Sequence, residues 1–241
     1  ARTLVPLLRE LPVSVEVEPA RDRLLGWDYV LDKDSVSAAI YVSWESRLRA
    51  NVWELFVPDG EARELLGRIN LKRMIDWLLA PDGRFGENPI SGRDNLLVRS
   101  LTEAVSDLKE RLGPEMSGWK YGQEKYKHAI IRHPLSAAVS PEIRAKLDVG
   151  PAPRGGYGST LNNTGRGDNQ TSGASFRIIA DTENWDNSVG TSAPGQSGDP
   201  ASPHYRDLFD LWAKGKYFPM FYSREKIESV TEKKLVLEPA S

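Results

Sequence analysis

Cysteine is absent from the chain, which excludes disulfides, thiolate zinc sites and cysteine nucleophiles together. Histidine is scarce, limited to His128, His133 and His204. No helical histidine pair with a glutamate occurs. His128 and His133 are five residues apart; on a strand they point to opposite faces and cannot share an ion. An excess of one charge is also missing. Lys and Arg total 32 against 34 Asp and Glu, a formal net charge of −2, so neither nucleic acid nor an anionic membrane is favoured as a partner. No apolar run approaches the roughly 18 residues needed to span a bilayer. No signal peptide is visible. The chain starts at Ala1 rather than Met, and the expectation is that upstream sequence has been removed or lies outside it.

What is present suits a soluble globular protein: 39% hydrophobic and 27% charged residues over 241 positions, enough for one large domain or two small ones. Seven Trp, eight Tyr and six Phe supply bulk for a core and leave aromatics for a cleft. No repeat is visible, and no linker is long enough to argue for two independent domains. The expectation is a single piece, mainly helical over 1–115, with strands, loops and a short helix over 116–241.

The helical half is read from its periodicity. Arg21 to Tyr29 is a short amphipathic stretch ending near Trp27-Asp28. Between Ser35 and Phe56, apolar residues fall at Ala39/Ile40, Trp44, Leu48, Val52 and Leu55/Phe56, the spacing of a helix face. Leu65/Leu66, Ile69, Met74/Ile75 and Leu78/Leu79 suggest another helical region, stopped by Pro81-Asp82-Gly83. The clearest pattern runs from Asp94, read as an N-cap, to Leu112. Leu97, Leu101, Val105, Leu108 and Leu112 form its stripe, and Gly113-Pro114 supplies the stop.

After Met116 the pattern changes. Lys127 to His133 alternates like a strand and ends at Pro134. Gly155 to Ser175 reads as a loop too polar to be core. Its Arg166-Gly167-Asp168 triplet could suggest a cell-adhesion motif, but a tripeptide this short recurs by chance. Phe176 to Asp181 reads as a strand with Ser188 to Ala193 as its hairpin partner. Ser202-Pro203 reads as N-cap and N1 of a helix carrying Tyr205, Leu208, Phe209 and Trp212, closed by Gly215. Ser223 caps a last short helical turn, and Lys234 to Leu237 reads as a final strand.

Complete catalytic constellations are not visible. Gly195-Gln196-Ser197-Gly198 lacks the spacing of a nucleophile elbow and reads as a tight turn that uses glycine where positive φ is required. Gly155-Gly156-Tyr157-Gly158 has no strand-then-helix frame and no lysine for phosphate, so it is not a nucleotide loop. The pairs Asp181/Glu183 and Asp207/Asp210 are candidates for acid–base work. Asp207/Asp210 belongs to the polar side of an amphipathic helix. Asp181 ends an apolar strand, where a partly buried carboxylate needs a partner such as histidine or arginine; a structural salt bridge is the simpler reading.

Read as text, Thr171-Ser172-Gly173-Ala174-Ser175-Phe176-Arg177-Ile178-Ile179-Ala180-Asp181 and Trp185-Asp186-Asn187-Ser188 resemble the late β-chain of penicillin acylases and acyl-homoserine-lactone acylases. Pro194-Gly195-Gln196-Ser197-Gly198-Asp199-Pro200, Ser202-Pro203-His204-Tyr205, Leu211-Trp212, Gly215-Lys216-Tyr217-Phe218-Pro219 and Phe221-Tyr222-Ser223-Arg224-Glu225 continue the pattern. Upstream, Trp27-Asp28, Trp119, Arg132-His133-Pro134-Leu135 and Gly155-Gly156-Tyr157 fit in the same order. The blocks span most of the chain.

The resemblance implies an α+β fold, part of the αββα layered sandwich of N-terminal-nucleophile hydrolases. It also implies a precursor that cuts itself into an α-chain and a β-chain, a zymogen in that sense. The family's nucleophile is the serine at the new N-terminus of the β-chain, and its own α-amine is the base. A free amine of near-neutral pKa takes the hydroxyl proton without a separate histidine. Residue 1 here is Ala, and the family's oxyanion asparagine and calcium-binding carboxylates precede the region matched. The expectation is a C-terminal portion of the β-chain, inactive alone, with no cofactor of its own. Its partners are then the α-chain, the N-terminal part of the β-chain and an acylated amine of β-lactam or homoserine-lactone type. Antibiotic biosynthesis and a periplasmic or secreted location follow from the same resemblance. In cephalosporin-acylase-like relatives an acid near the end of this strand orients a histidine, and Asp181 aligns with it. The alternative is a catalytically inactive binding or structural module with the same fold.

Overall fold

A computed structural model describes residues 1–165 and 167–239; Arg166 of the Arg166-Gly167-Asp168 triplet lies outside the described residues. The chain forms two compact units, Ala1–Lys127 and His128–Ser241, the first built from helices and the second from short strands, turns and small helices. The fold class is α+β.

In the first unit, α1 (Glu18–Leu25), α2 (Val36–Phe56), α3 (Gly60–Leu66), α4 (Leu71–Leu79) and α5 (Pro89–Leu112) follow in order. Ser35 starts α2 by accepting the Ala38 amide on its hydroxyl, and neither Gly nor Pro interrupts the 21 residues that follow. Ile40, Trp44, Leu48 and Val52 form one fully buried row, which meets Leu97, Leu101, Ala104 and Leu108 of α5. Burying each large aliphatic side chain contributes about 1.5–3 kcal/mol, so this seam is the main stabilising contact of the unit. Several of its polar groups are paired across or within it. Trp44 Nε1 donates to Leu97 O at 3.2 Å, and Asn51 Nδ2 donates to Ser100 Oγ at 3.0 Å and Glu103 Oε2 at 2.7 Å. The buried Glu45 carboxylate pairs with Arg49 one turn on.

Two boundaries differ from the sequence reading. Asp94 is not the cap of α5: the helix starts at Pro89, and Asn88 accepts the Ser91 amide at 3.1 Å. Asn-Pro supplies both cap and N1 residue, while the first turn and a half, half-buried or exposed, carries no apolar stripe. Asp94 pairs with Arg93 instead. The region from Leu65 to Leu79 is two helices, because Gly67 at φ 71 ends α3 and Asn70 caps α4 afresh.

In the second unit, β1 (His128–Ile131) pairs antiparallel with β2 (Val149–Pro153). Between them lie the 3-10 turn Pro134–Ala137 and α6 (Pro141–Leu147). A second sheet orders β3 (Arg177–Ile179), β4 (Val189–Thr191) and β5 (Phe218–Pro219) side by side, all antiparallel. Ser202 caps a 3-10 turn, Pro203–Tyr205, and the helix proper, α7, is shorter than the sequence suggests, Phe209–Ala213. Ser223 caps α8 (Arg224–Ser229). Ala129, Val149, Tyr205, Phe209, Trp212 and Ala213 form the core.

The loop over 155–175 is not wholly outside that core. Tyr157, Thr164 and Gln170 are buried because the buried Arg154 guanidinium lies 3.8 Å over the Trp212 ring and donates into the loop, to the Gln170 and Asn163 carbonyls. A buried cation needs such acceptors, and a polar loop provides them. Lys234 to Leu237 forms no strand; Leu235, Val236 and Leu237 are exposed, with no neighbouring strand bonded to them among the described residues.

Candidate functional site

The sequence singles out the end of β3, and the structure shows how that end is made. β3 and β4 pair in the register Arg177↔Thr191, Ile178↔Gly190 and Ile179↔Val189. The chain between them folds back through an aspartate- and asparagine-rich turn, residue types that satisfy backbone amides from their own side chains. Asp181 Oδ1 accepts the amides of Glu183 at 2.9 Å and Asn184 at 3.0 Å, and Oδ2 accepts Asn187 Nδ2 at 3.3 Å. Its own amide donates to Ser188 Oγ at 3.1 Å. Backbone bonds from Asn184 and Glu183, then the Asn187 amide, hold the Asp181 carboxyl below its ordinary value. The group is therefore a half-exposed, firmly ionised carboxylate.

Asp181 makes no ion pair among the described residues, so the salt bridge read from the sequence is replaced by amide donors. Its setting also differs from expectation. Ile178 and Ile179 are 53% and 55% exposed, so both faces of β3 are open in this chain. Since β3 is an edge strand, the apolar pattern that reads as a buried strand lies uncovered.

A second carboxylate went unassigned by sequence reasoning. Asp186 Oδ1 accepts the amides of Tyr222 and Ser223, each at 2.8 Å, tying the 3-10 turn Trp185–Asn187 to the segment leading into α8. Chiefly the Ser223 amide, with the Ser223 hydroxyl and Tyr222 amide, keeps the Asp186 carboxyl below its ordinary value. Trp185 and Tyr222 rings lie 5.1 Å apart on the same tie. An Asx-rich turn was legible there; its long-range acceptor role was not. Beneath the sheet, Arg177 donates to Trp212 O at 2.7 Å and to Asn162 Oδ1 at 3.0 Å.

The other candidates fall apart from this turn. His204 Nδ1 and Asp207 Oδ2 are 2.8 Å apart on the surface, and Asp210 pairs with Lys214, so Asp207 and Asp210 act as separate surface charges. His133 Nδ1 accepts the Leu135 amide at 3.2 Å. Among the described residues, His128 Nδ1 is buried without a hydrogen-bond partner. None of the three bonds to Asp181 or to Glu183 among the described residues. Ser197 Oγ accepts the Asp199 amide at 3.1 Å, a local turn bond, and no imidazole hydrogen-bonds it among the described residues. The turn reading of Gly195 to Gly198 holds, but for another reason than positive φ: a Cβ on Gly195 would lie 2.3 Å from His204 O and 2.6 Å from Tyr205 O. Close backbone approach demands the glycine. Among the described residues no group of three or more His, Cys, Asp or Glu is placed to hold a metal ion, and no helix is long and apolar enough to cross a membrane.

A family model described as penicillin amidase matches residues 1–229. Acyl-homoserine lactone acylase QuiP of Pseudomonas aeruginosa is 29% identical over 98% of the chain and 31% of its own length. The penicillin acylase 2 proenzyme of Pseudomonas sp. is 30% identical over 92% of the chain and 29% of its length. Among solved structures, the thermostable penicillin G acylase from Alcaligenes faecalis is similar over 100% of this chain and 46% of its own, at 19% identity and TM-score 0.48. The chain spans about three tenths of the length of the curated relatives it matches.

Proposed function

Because the chain belongs to the penicillin amidase family, we propose that it is the C-terminal portion of an acylase β-chain. The whole enzyme hydrolyses the amide between an acyl side chain and an amine-bearing core of β-lactam or homoserine-lactone type. The carrying observation is the continuous family match over residues 1–229, joined to relatives named as acylases of which this chain spans under a third. In this reading the serine nucleophile with its α-amine base, and the oxyanion donor, belong to upstream sequence, and the α-chain and the N-terminal part of the β-chain are the partners. Export to the periplasm fits the same reading. The open edge of β3 and the exposed Phe176, Ile178 and Ile179 support it, since an uncovered apolar edge strand calls for a polypeptide to cover it.

Within that reading, Asp181 is a positioning residue. An ionised carboxylate fixes the ring orientation of a histidine brought by the upstream chain and favours its protonated form. Its Oδ2 carries a single hydrogen bond and can accept another.

The test is an activity assay with a chromogenic phenylacetyl or fatty-acyl amide, run on this chain alone and on the complete precursor carrying it. Intact mass of every chain in the preparation identifies an N-terminal serine. We expect no turnover from the 241-residue chain and turnover from the processed precursor. Turnover by the chain alone that disappears on Ser197→Ala would falsify the assignment. In the precursor, Asp181→Asn is expected to lower kcat more than it raises KM; unchanged kcat in folded enzyme removes Asp181 from the site.

A further inference from the structure

A cavity of about 730 Å³ opens beside β1, bounded by the turn Pro134–Ala137, α6 and the start of β2. It is an open depression, with Arg132, Pro134, Ala137, Arg144, Ala145 and Pro151 all exposed, of a volume comparable to small-molecule sites, roughly 300–1,000 Å³. It lies within the second unit and shares no residue with the Asp181 turn. Ile130, Pro134, Ala137, Ala145 and Pro151 give it apolar walls. Short, stiff side chains such as these leave an open space instead of filling it.

The polar groups at the cavity are unevenly charged. Arg132 and Arg144 line it against a single carboxylate, Asp148. Asp148 Oδ1 is already engaged: it accepts the Ser136 hydroxyl and the His133 amide, the latter at 3.0 Å. The Ser136 hydrogen bond, then the His133 amide, with smaller contributions from the two arginines, keep that carboxyl below its ordinary value. Arg144 is oriented by a 2.7 Å bond from Nε to the Ser136 carbonyl, which leaves its two terminal nitrogens for another acceptor. His133 accepts the Leu135 amide on Nδ1, so its neutral ring carries the hydrogen on Nε2, a further donor. Two guanidiniums opposed by one ionised carboxylate leave one positive charge uncompensated.

We propose that this cavity is a binding site for a small amphiphilic monocarboxylate, its charged end held by Arg132 and Arg144 and its apolar body laid against Ile130, Ala137 and Ala145. Guanidinium groups match a carboxylate bidentately. The fixed charge of Asp148 disfavours a dianion, and the apolar walls disfavour a ligand without an apolar body. The site goes beyond the amide hydrolysis proposed above and does not depend on it.

The experiment titrates octanoate, octanamide and inorganic phosphate separately into the 241-residue chain carrying 13C-labelled alanine methyls. Octanoate is expected to shift the Ala137 and Ala145 resonances saturably. Octanamide should bind about tenfold more weakly, the loss of one charge-assisted contact. Phosphate should not saturate at comparable concentration. Arg132→Gln is expected to weaken octanoate about tenfold by the same reasoning, Arg132→Lys less, and Ala145→Trp to abolish binding by filling the space. Absence of a saturable shift at both methyls in the unmodified chain overturns the proposal, and so does octanamide or phosphate binding as tightly as octanoate. Octanoate binding unchanged in both Arg132→Gln and Ala145→Trp overturns it as well.

Discussion

Alanine at position 195 puts a Cβ 2.3 Å from the His204 carbonyl oxygen and 2.6 Å from that of Tyr205. Neither obstacle is the end of a flexible side chain, so the backbone must open by about 1 Å to restore van der Waals contact. The His204 carbonyl accepts the amides of Gln196 at 2.9 Å and Ser197 at 3.1 Å, and a displacement of that size breaks both. At about 1 kcal/mol net for each neutral bond, the loss is about 2 kcal/mol, to which residual strain adds. The reduced freedom of the unfolded chain returns about 0.4–1 kcal/mol for Gly→Ala. The expected cost is about 1–3 kcal/mol, in the range of other overpacking substitutions. For a chain of this size it corresponds to a fall in Tm of about 2–12 °C. Gly198 is the internal control: nothing lies within 4 Å of a Cβ there and its φ is not positive, so Gly198→Ala is expected to be neutral or slightly stabilising. Ser197→Ala removes only the bond from the Asp199 amide and should stay within about 0.5 kcal/mol. Thermal melts of the three variants, with amide hydrogen exchange at Gln196 and Ser197, decide the matter. The close-approach argument is refuted if Gly195→Ala melts with the parent, or if Gly198→Ala falls as far as Gly195→Ala.

Acid sensitivity follows from the two turn carboxylates. Asp181 and Asp186 have folded pKa values below the unfolded value of about 3.9, so their stabilisation is complete above that pH and is lost as pH falls through the folded values. Urea midpoints measured from neutral pH down through this window should fall less steeply in Asp186→Asn than in the parent; an identical slope counts against the reading. Leu48→Ala, at a fully buried position in the α2–α5 seam, should cost about 2–5 kcal/mol by denaturant unfolding. Asn88→Ala removes the cap of α5 and should cost about 1 kcal/mol, whereas Asp94→Ala should cost less; the reverse order would restore the cap to Asp94. Trp212→Phe loses the 2.8 Å bond to the Ala174 carbonyl and weakens the Arg154 stack. About 1–3 kcal/mol is expected for the unpaired acceptor alone, with a Tm equal to the parent's as the contrary result.

The periodic helices were the most legible part of the fold. Ile40, Trp44, Leu48 and Val52 announce one side of a seam and Leu97, Leu101 and Leu108 the other, because helix geometry converts local spacing directly into a shared face. The start of α5 was less legible, since an N-cap is a matter of one side-chain hydrogen bond and Asn88-Pro89 lies ahead of the apolar stripe that marks the helix. The polar loop over 155–175 was misjudged as wholly outside the core. Composition records that Thr164 and Gln170 are polar, but not that a buried Arg154 needs the carbonyls around them.

At the candidate site, the family was legible as text. What Asp181 and Asp186 bond was not. Asp181 closes its turn through residues two and three positions away, a local pattern open to sequence reasoning, whereas Asp186 reaches amides 36 and 37 residues on. Local chemistry determined where helices, turns and short strands form and which residues could carry charge. Tertiary packing alone decided that Gly195 answers to the His204 backbone, that Asp148, Arg132 and Arg144 line one cavity, and that both faces of β3 stay open. Those outcomes depend on through-space distances between segments, which side-chain periodicity does not encode.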